Sequence, residues 1–189
     1  MSLILASTSP IRRQILDAAG VEYEAVSPQV DEEELKAGLS DASDIALRLA
    51  EAKAVSVAGE WVIGSDSVVS VDGRSFDKSK SRDDAAEHLR LFSGKTMLLS
   101  SAVALARGGS IDWSHVETAR LEVRPLSDRF IETYLDAEWP EVGYCVGVFR
   151  LEGRGVQLFD RIDGDHFTIL GMPLLSLLGA LRERGLLLA

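Results

Sequence analysis

Three features of this sequence predict a mixed α/β fold. Short apolar runs of strand character alternate with segments whose apolar residues recur at helical spacing, and glycine, proline and hydroxylated residues mark the boundaries between them. In addition, 46% of the 189 residues are hydrophobic, enough to cover a sheet with helices and close a core. The chain, 1–189, reads as a single domain without repeat, low-complexity tract or linker.

Taken in order, Leu3 to Ala6 read as a short buried strand, and Ser9 followed by Pro10 has the form of a helix N-cap with proline at N1. The helix this opens runs through Ile11 to Ala19 and is closed by Gly20. VEYEAVSP alternates as a strand ending at Pro28, and VDEEELKAG reads as an acidic loop. Residues 41–58 carry the clearest amphipathic helix, with Gly59 as its stop.

WVIGSDSVVSVDG, at 61–73, reads as an apolar strand interrupted by Gly64-Ser65-Asp66 and ending in an Asp72-Gly73 hairpin turn. Residues 82–92 follow as a helix ended by Ser93-Gly94. The strand-like TMLLSSAVALA and SHVETARLEVRPL, joined by Gly108-Gly109, are expected to pair. Ser127 caps a helix over 127–138, GVQLFDRIDGDHF reads as strand and turn, and a last helix runs from Pro173 to about Arg184.

Composition narrows the function. With 30 acidic against 20 basic residues the net charge is −10, which disfavours nucleic-acid polymers and anionic membranes unless a local basic site overrides it. No run reaches the ~18–20 apolar residues of a bilayer span, and the first strand begins too early for a signal peptide, so a cytoplasmic protein is expected. The single cysteine, Cys145, sits in apolar VGYCVGVF and reads as a buried, inert thiol. His88, His115 and His166 lack metal-ligand spacing, which argues against a zinc site.

Four features carry polar groups that a packed core would not choose. In LILASTSPIRRQIL, two arginines occupy the first turn of a helix, the end already positive from its dipole and unpaired N–H groups. An anion would resolve this: N–H groups, the hydroxyls of Ser7, Thr8 and Ser9, and Arg12 and Arg13 can converge on phosphate oxygens. A capped helix with two solvated arginines fits the stretch equally well. Asp31-Glu32 follows a strand end but also suits a solvated acidic loop; Asp66 interrupts an apolar strand but can cap a bulge. Lys78 lies beyond the hairpin in FDKSKSRDD, and Lys53 in RLAEAKA reads by default as a residue on the wet face of its helix. Together these residues suggest another object. Carboxylates from two strand ends can hold a hard divalent cation while arginines and lysines neutralise phosphates, and an aspartate beside the metal can accept a proton from attacking water.

With these motifs in view, the sequence resembles the Maf family of nucleoside triphosphate pyrophosphatases, also called septum-formation-inhibitor-like proteins. LILASTSPIRRQIL matches the family's opening, SPQVDE its acidic loop, RLAEAKA its lysine helix and VIGSDSVV its aspartate strand; GKT at 94–96 and RIDGDHFTILGMPL at 161–174 match later signatures. The resemblance implies a Maf/inosine-triphosphatase-like mixed α/β fold of two lobes around a central nucleotide-binding cleft. It implies Mg²⁺ or Mn²⁺ as cofactor, and a possible homodimer. The implied reaction is hydrolysis of a nucleoside triphosphate to the monophosphate and pyrophosphate. Carried over by motif, Asp66 is the general base, Glu32 and Asp66 are the metal-associated carboxylates, and Ser7, Ser9, Arg12, Arg13, Lys53 and Lys78 bind phosphates.

There are two departures from the family pattern. Asp77-Lys78-Ser79 replaces the usual glycine-lysine-proline, and Ile11 stands where many members have arginine. FRLEG resembles the branch described as 7-methyl-GTP pyrophosphatase, in which base specificity is attributed to positions matching Ile11, Ser67 and Glu152. A carboxylate at 152 offers acceptors to the two adjacent donors of guanine, whereas the glutamine of the dTTP/UTP branch offers one donor and one acceptor. A dTTP/UTP pyrophosphatase is the alternative within the enzyme class. Outside it stands a nucleotide-binding regulator of cell division with little turnover.

Overall fold

A computed structural model describes residues 2–188. The class is mixed α/β. Seven strands are present among the described residues: β1 (Leu3–Ala6), β2 (Glu24–Val26), β3 (Trp61–Val71), β4 (Arg74–Phe76), β5 (Thr96–Arg107), β6 (Ser110–Val123) and β7 (Phe159–Asp163). Their order is β2-β1-β3-β5-β6-β7, with β4 paired to β3. Pairing is parallel between β1 and both β2 and β3, and antiparallel for β4 on β3 and β7 on β6, so the sheet is mixed.

The chain forms two compact units, and β3, β5 and β6 each contribute residues to both. The first unit comprises residues up to Ser67, Ser100–Thr118 and the chain from Asp165; the second comprises Val68–Leu99 and Ala119–Gly164.

In the first unit, α1 (Pro10–Ala18), α2 (Glu32–Lys36), α3 (Ala42–Val55), α6 (His166–Leu170) and α7 (Leu174–Glu183) accompany β1, β2 and the first part of β3. Leu5, Leu16, Ile63, Val103, Met172 and Leu177 belong to its core. β1 runs parallel to β3 with Ala6 opposite Gly64, so the chain leaves β1 through Ser7, Thr8 and Ser9 beside Ser65 and Asp66.

In the second unit, α4 (Arg82–Phe92) and α5 (Asp128–Glu138) are joined by ion pairs of Arg82 with Glu132 and Asp136, and of Arg90 with Asp128. Phe76 meets Phe92 edge to face over a core that includes Leu89, Leu121, Ile131 and Leu135.

Several sequence expectations need correction. The acidic segment contains a short helix: Asp31 caps α2, its carboxylate accepting from the Glu34 N–H at 3.1 Å. The strand through Gly64-Ser65-Asp66 is unbroken from Trp61 to Val71, because Gly64 fits the ladder and the polar side chains find partners off it. VEYEAVSP supplies only the three-residue β2, and GVQL lies in a 3-10 turn, Arg154–Leu158, ahead of β7. Both tight turns have the backbone expected of them, with positive φ at Asp72 and Gly73 and at Gly108 and Gly109.

Candidate active site

The alternation of β3 divides the polar residues of its SDS sequence between two environments. Gly64 and Asp66 share one face, Ser65 and Ser67 the other. On the Gly64 face α3 lies so close that a Cβ there would overlap the Ala50 carbonyl and stand 2.5 Å from the Ala54 nitrogen. This approach places the buried stripe of α3 (Ala42, Ile45, Ala46, Leu49, Ala50, Lys53 and Ala54) against the strand. Lys53 is the one charged residue of that stripe. Taken singly, Lys53 reads by default as a wet-face residue, and the structure overturns that default: Lys53 is 8% exposed, and its Nζ donates to Asp66 Oδ1 at 2.6 Å. Helical spacing from Ala46 and Leu49 carried that signal.

The same ammonium is 2.7 Å from Glu32 Oε1. Asp31 and Glu32 therefore divide their work: the first closes the end of α2, and the second reaches the lysine from that helix's first turn. Glu32 also faces Lys36, one turn on, at 3.9 Å. Two carboxylates from different elements thus meet one buried cation, with Asp66 itself 9% exposed.

On the opposite face, Ser65 and Ser67 meet the turn after α6. The Gly171 carbonyl accepts from Ser65 Oγ at 3.1 Å and from Arg12 Nε at 2.9 Å, while Arg12 Nη2 donates to Ser67 Oγ at 3.1 Å. Gly171 closes α6 in the left-handed region, φ 110°, and a Cβ there would come 3.3 Å from Ser67 Oγ. Ser101, fully buried, donates to the Thr168 carbonyl at 2.8 Å and lies 2.9 Å from Ser67 Oγ. Ser65, Ser101 and Gly171 are absent from the sequence-derived candidates. Only the match of RIDGDHFTILGMPL to a family signature pointed toward the last of them.

Arg12 is held on two acceptors. Burial lowers the pKa of its guanidinium, and the charges of Asp66 and Glu32 pull in the other direction, so Arg12 also belongs electrostatically to the carboxylate pair. Arg13 is exposed, its Nη2 donating to the Ser7 carbonyl at 3.4 Å. Ser9 occupies the N-cap position of α1 with extended backbone, yet its side chain makes no capping bond; its N–H donates to the buried Ser7 Oγ at 3.2 Å. Ile11 is half-buried against the core of the first unit. The first unit thus gathers Ser7, Ser9, Ile11, Arg12, Arg13, Glu32, Lys53, Asp66 and Ser67.

Lys78 and Glu152 lie in the second unit and are exposed. Both act electrostatically on Cys145, whose thiol is pushed up by burial and by Glu152, with Arg150 and Lys78 opposing. Cys145 is half-buried and not fully buried as its apolar context leads one to expect, and the shift favours the protonated thiol. Nearby, Glu138 is buried and accepts from Arg150 at 2.9 Å, bracing the turn that carries Glu152.

A model of the Maf-like protein family matches residues 2–184. The chain belongs to that family. Among Maf-like relatives, a protein of Rhizobium meliloti (strain 1021) named 7-methyl-GTP pyrophosphatase is 47% identical over 97% of this chain and 96% of its own. One from Nitrobacter hamburgensis, named nucleoside triphosphate pyrophosphatase, is 47% identical over 98% and 95%. Another with that name, from Caulobacter vibrioides, is 48% identical over 97% and 96%. No helix among the described residues is long and apolar enough to cross a membrane.

Proposed function

We propose that this Maf-like protein hydrolyses the α–β phosphoanhydride bond of a nucleoside triphosphate, giving the monophosphate and pyrophosphate, with 7-methyl-GTP preferred over dTTP. The observation that carries the reading is the meeting of Glu32, Lys53 and Asp66 in the same unit as the Ser7–Arg13 turn. The names of the relatives support the reaction, and some of them support the substrate.

A divalent cation suits this donor set. Hard ions such as Mg²⁺ or Mn²⁺ take carboxylate oxygens, and one or two protein carboxylates suffice where substrate phosphates and water complete the shell. Glu32 and Asp66, gathered around one ammonium, meet that description. Among the described residues no cluster of three or more acidic, histidine or cysteine ligands exists that could cage an ion without substrate. The cation, when bound, supplies charge neutralisation on the phosphates.

Asp66 accepts a proton from the water that attacks the α-phosphorus. The new P–O bond forms as the bond to the bridging oxygen breaks and the electron pair leaves with pyrophosphate. Lys53 holds Asp66 Oδ1 before substrate arrives and donates to a phosphate oxygen once the triphosphate is bound. Backbone N–H groups at the start of α1, the hydroxyls of Ser7 and Ser9, and Arg13 receive phosphate oxygens, with Arg12 adding charge from its fixed position. Lys78 is assigned to phosphate as well. Glu152 accepts from the guanine N1–H and exocyclic amine, and a base made cationic by N7-methylation is attracted further. Ile11 and Ser67 complete the specificity set.

The test is pyrophosphate release from a panel of triphosphates with Mg²⁺. 7-methyl-GTP is expected to give a higher kcat/KM than dTTP, and Glu152→Gln to narrow or reverse the ratio. A preference of the wild type for dTTP, or a ratio untouched by Glu152→Gln, overturns the base assignment; no release from any triphosphate overturns the reaction.

A further inference from the structure

We propose that Lys53 is the resident cation of the carboxylate pair, and that a divalent ion reaches Glu32 and Asp66 only by displacing it, so that ion and triphosphate are taken up together. The inference rests on the metal reading above and concerns what that reading requires of Lys53. Its Nζ is 2.7 Å from Glu32 Oε1 and 2.6 Å from Asp66 Oδ1. The ammonium lies within hydrogen-bond reach of one oxygen of each carboxylate, so an ion that takes those two oxygens competes with it for them. A second cation, Arg12, acts on the same two carboxylates while fixed on Gly171 and Ser67. The carboxylate pair is thus compensated by protein cations, Lys53 and Arg12 together with Lys36 beside Glu32, before any ligand arrives.

A divalent ion arriving alone competes with these cations for the same carboxylates. It must push aside the ammonium of a buried lysine and leave it without these anions, and an unpaired buried charge is strongly disfavoured. A triphosphate removes the obstacle, because its oxygens can receive the displaced ammonium while its charge offsets the incoming ion. Uptake of the two ligands is thus coupled through Lys53, and by linkage each strengthens binding of the other. The lysine would then move from holding Asp66 in the empty enzyme to holding phosphate in the loaded one.

The test follows Mn²⁺ binding in the absence of nucleotide, by the loss of the electron paramagnetic resonance signal of the free ion. Lys53→Met is expected to bind Mn²⁺ at least about 10-fold more tightly than the wild type, within the usual range of coupling between sites. Adding Glu32→Gln to that variant should return binding to the weak level. Equal or weaker binding by Lys53→Met overturns the proposal while leaving a metal-dependent enzyme possible. Absence of Mn²⁺ uptake by both proteins, with and without an α,β-methylene triphosphate analogue, refutes the metal reading and the proposal with it. Should Lys53→Met fail to fold, the wild type provides a second measurement. The ¹⁵N resonance of the Lys53 ammonium should stay in place with Mg²⁺ alone and shift with Mg²⁺ plus the analogue; a shift with Mg²⁺ alone contradicts displacement by the pair.

Discussion

Gly64 of β3 lies against Ala50 of α3 so closely that no side chain fits between strand and helix. The contact is what brings Lys53, one turn further along α3, to Asp66, two residues further along β3. Gly64→Ala forces the two elements apart and should destabilise the protein by about 3 kcal/mol or more, the upper range of overpacking. Chemical denaturation measures the loss. Where the variant is still folded, its turnover should fall with no change in any polar residue; full activity would show that the Lys53–Asp66 distance has no bearing on catalysis.

Asp66→Asn retains the shape of the side chain and removes the proton acceptor. Its kcat should drop by roughly 10²–10⁴-fold, with triphosphate binding largely kept, as for loss of a general base. Initial rates and calorimetric titration with a non-hydrolysable analogue separate the two effects. Turnover near that of the wild type would remove Asp66 from the role of base.

The two arginines of α1 should respond differently to truncation. Arg12 is bound to Gly171 and Ser67, so Arg12→Ala should cost about 1–3 kcal/mol of stability as well as affinity, because the Gly171 carbonyl loses a charged donor. Arg13 is exposed and makes one long bond to the Ser7 carbonyl, so Arg13→Ala should weaken triphosphate binding more than nucleoside binding while leaving the unfolding transition nearly unmoved. Identical stability losses in the two variants would contradict this division.

Glu117 provides a prediction about acid stability. Burial raises its pKa, but hydrogen bonds from Thr168, His115 and Ser176 outweigh that and hold the carboxyl below its ordinary range. A carboxyl depressed in the folded state contributes stability that is fully present above its unfolded pKa, about 4–5, and is lost as pH falls through the folded value. Glu117→Gln should therefore be less stable than the wild type at neutral pH, by about 0.5–1 kcal/mol because solvent screens the partly exposed carboxylate, with the gap closing on acidification below that range. Denaturation midpoints of both proteins from pH 7 to pH 3 check the sign. A gap that is constant or widens toward low pH would show that the charge of Glu117 contributes nothing.

What sequence alone determined follows from local rules. Periodicity and turn chemistry identify the mixed α/β class, the proline start of α1 and the hairpin turns at Asp72-Gly73 and Gly108-Gly109, whereas the short helix that Asp31 caps is not legible in an acidic run that reads as a loop. The motifs around Ser7–Arg13, Glu32, Lys53 and Asp66 identify the family, since several polar patterns in fixed order along one chain are hard to meet by chance.

Tertiary structure decided which of those residues meet. Lys53 reads as a solvated helical lysine until Gly64 admits α3 to the strand, because the closeness of two elements depends on a side chain that is missing from one of them. Arg12 and Arg13 read alike in the sequence, and only the fold separates them: the turn at Gly171, 159 residues away in the chain, accepts from Arg12 Nε. Ser65 and Ser101 carry no local signal: a serine in an apolar strand is polar or structural according to what faces it, and here that is a carbonyl from another element. Local sequence specifies the backbone and the chemical groups; hydrogen bonds between distant segments specify the geometry, because only the folded chain brings donors and acceptors together.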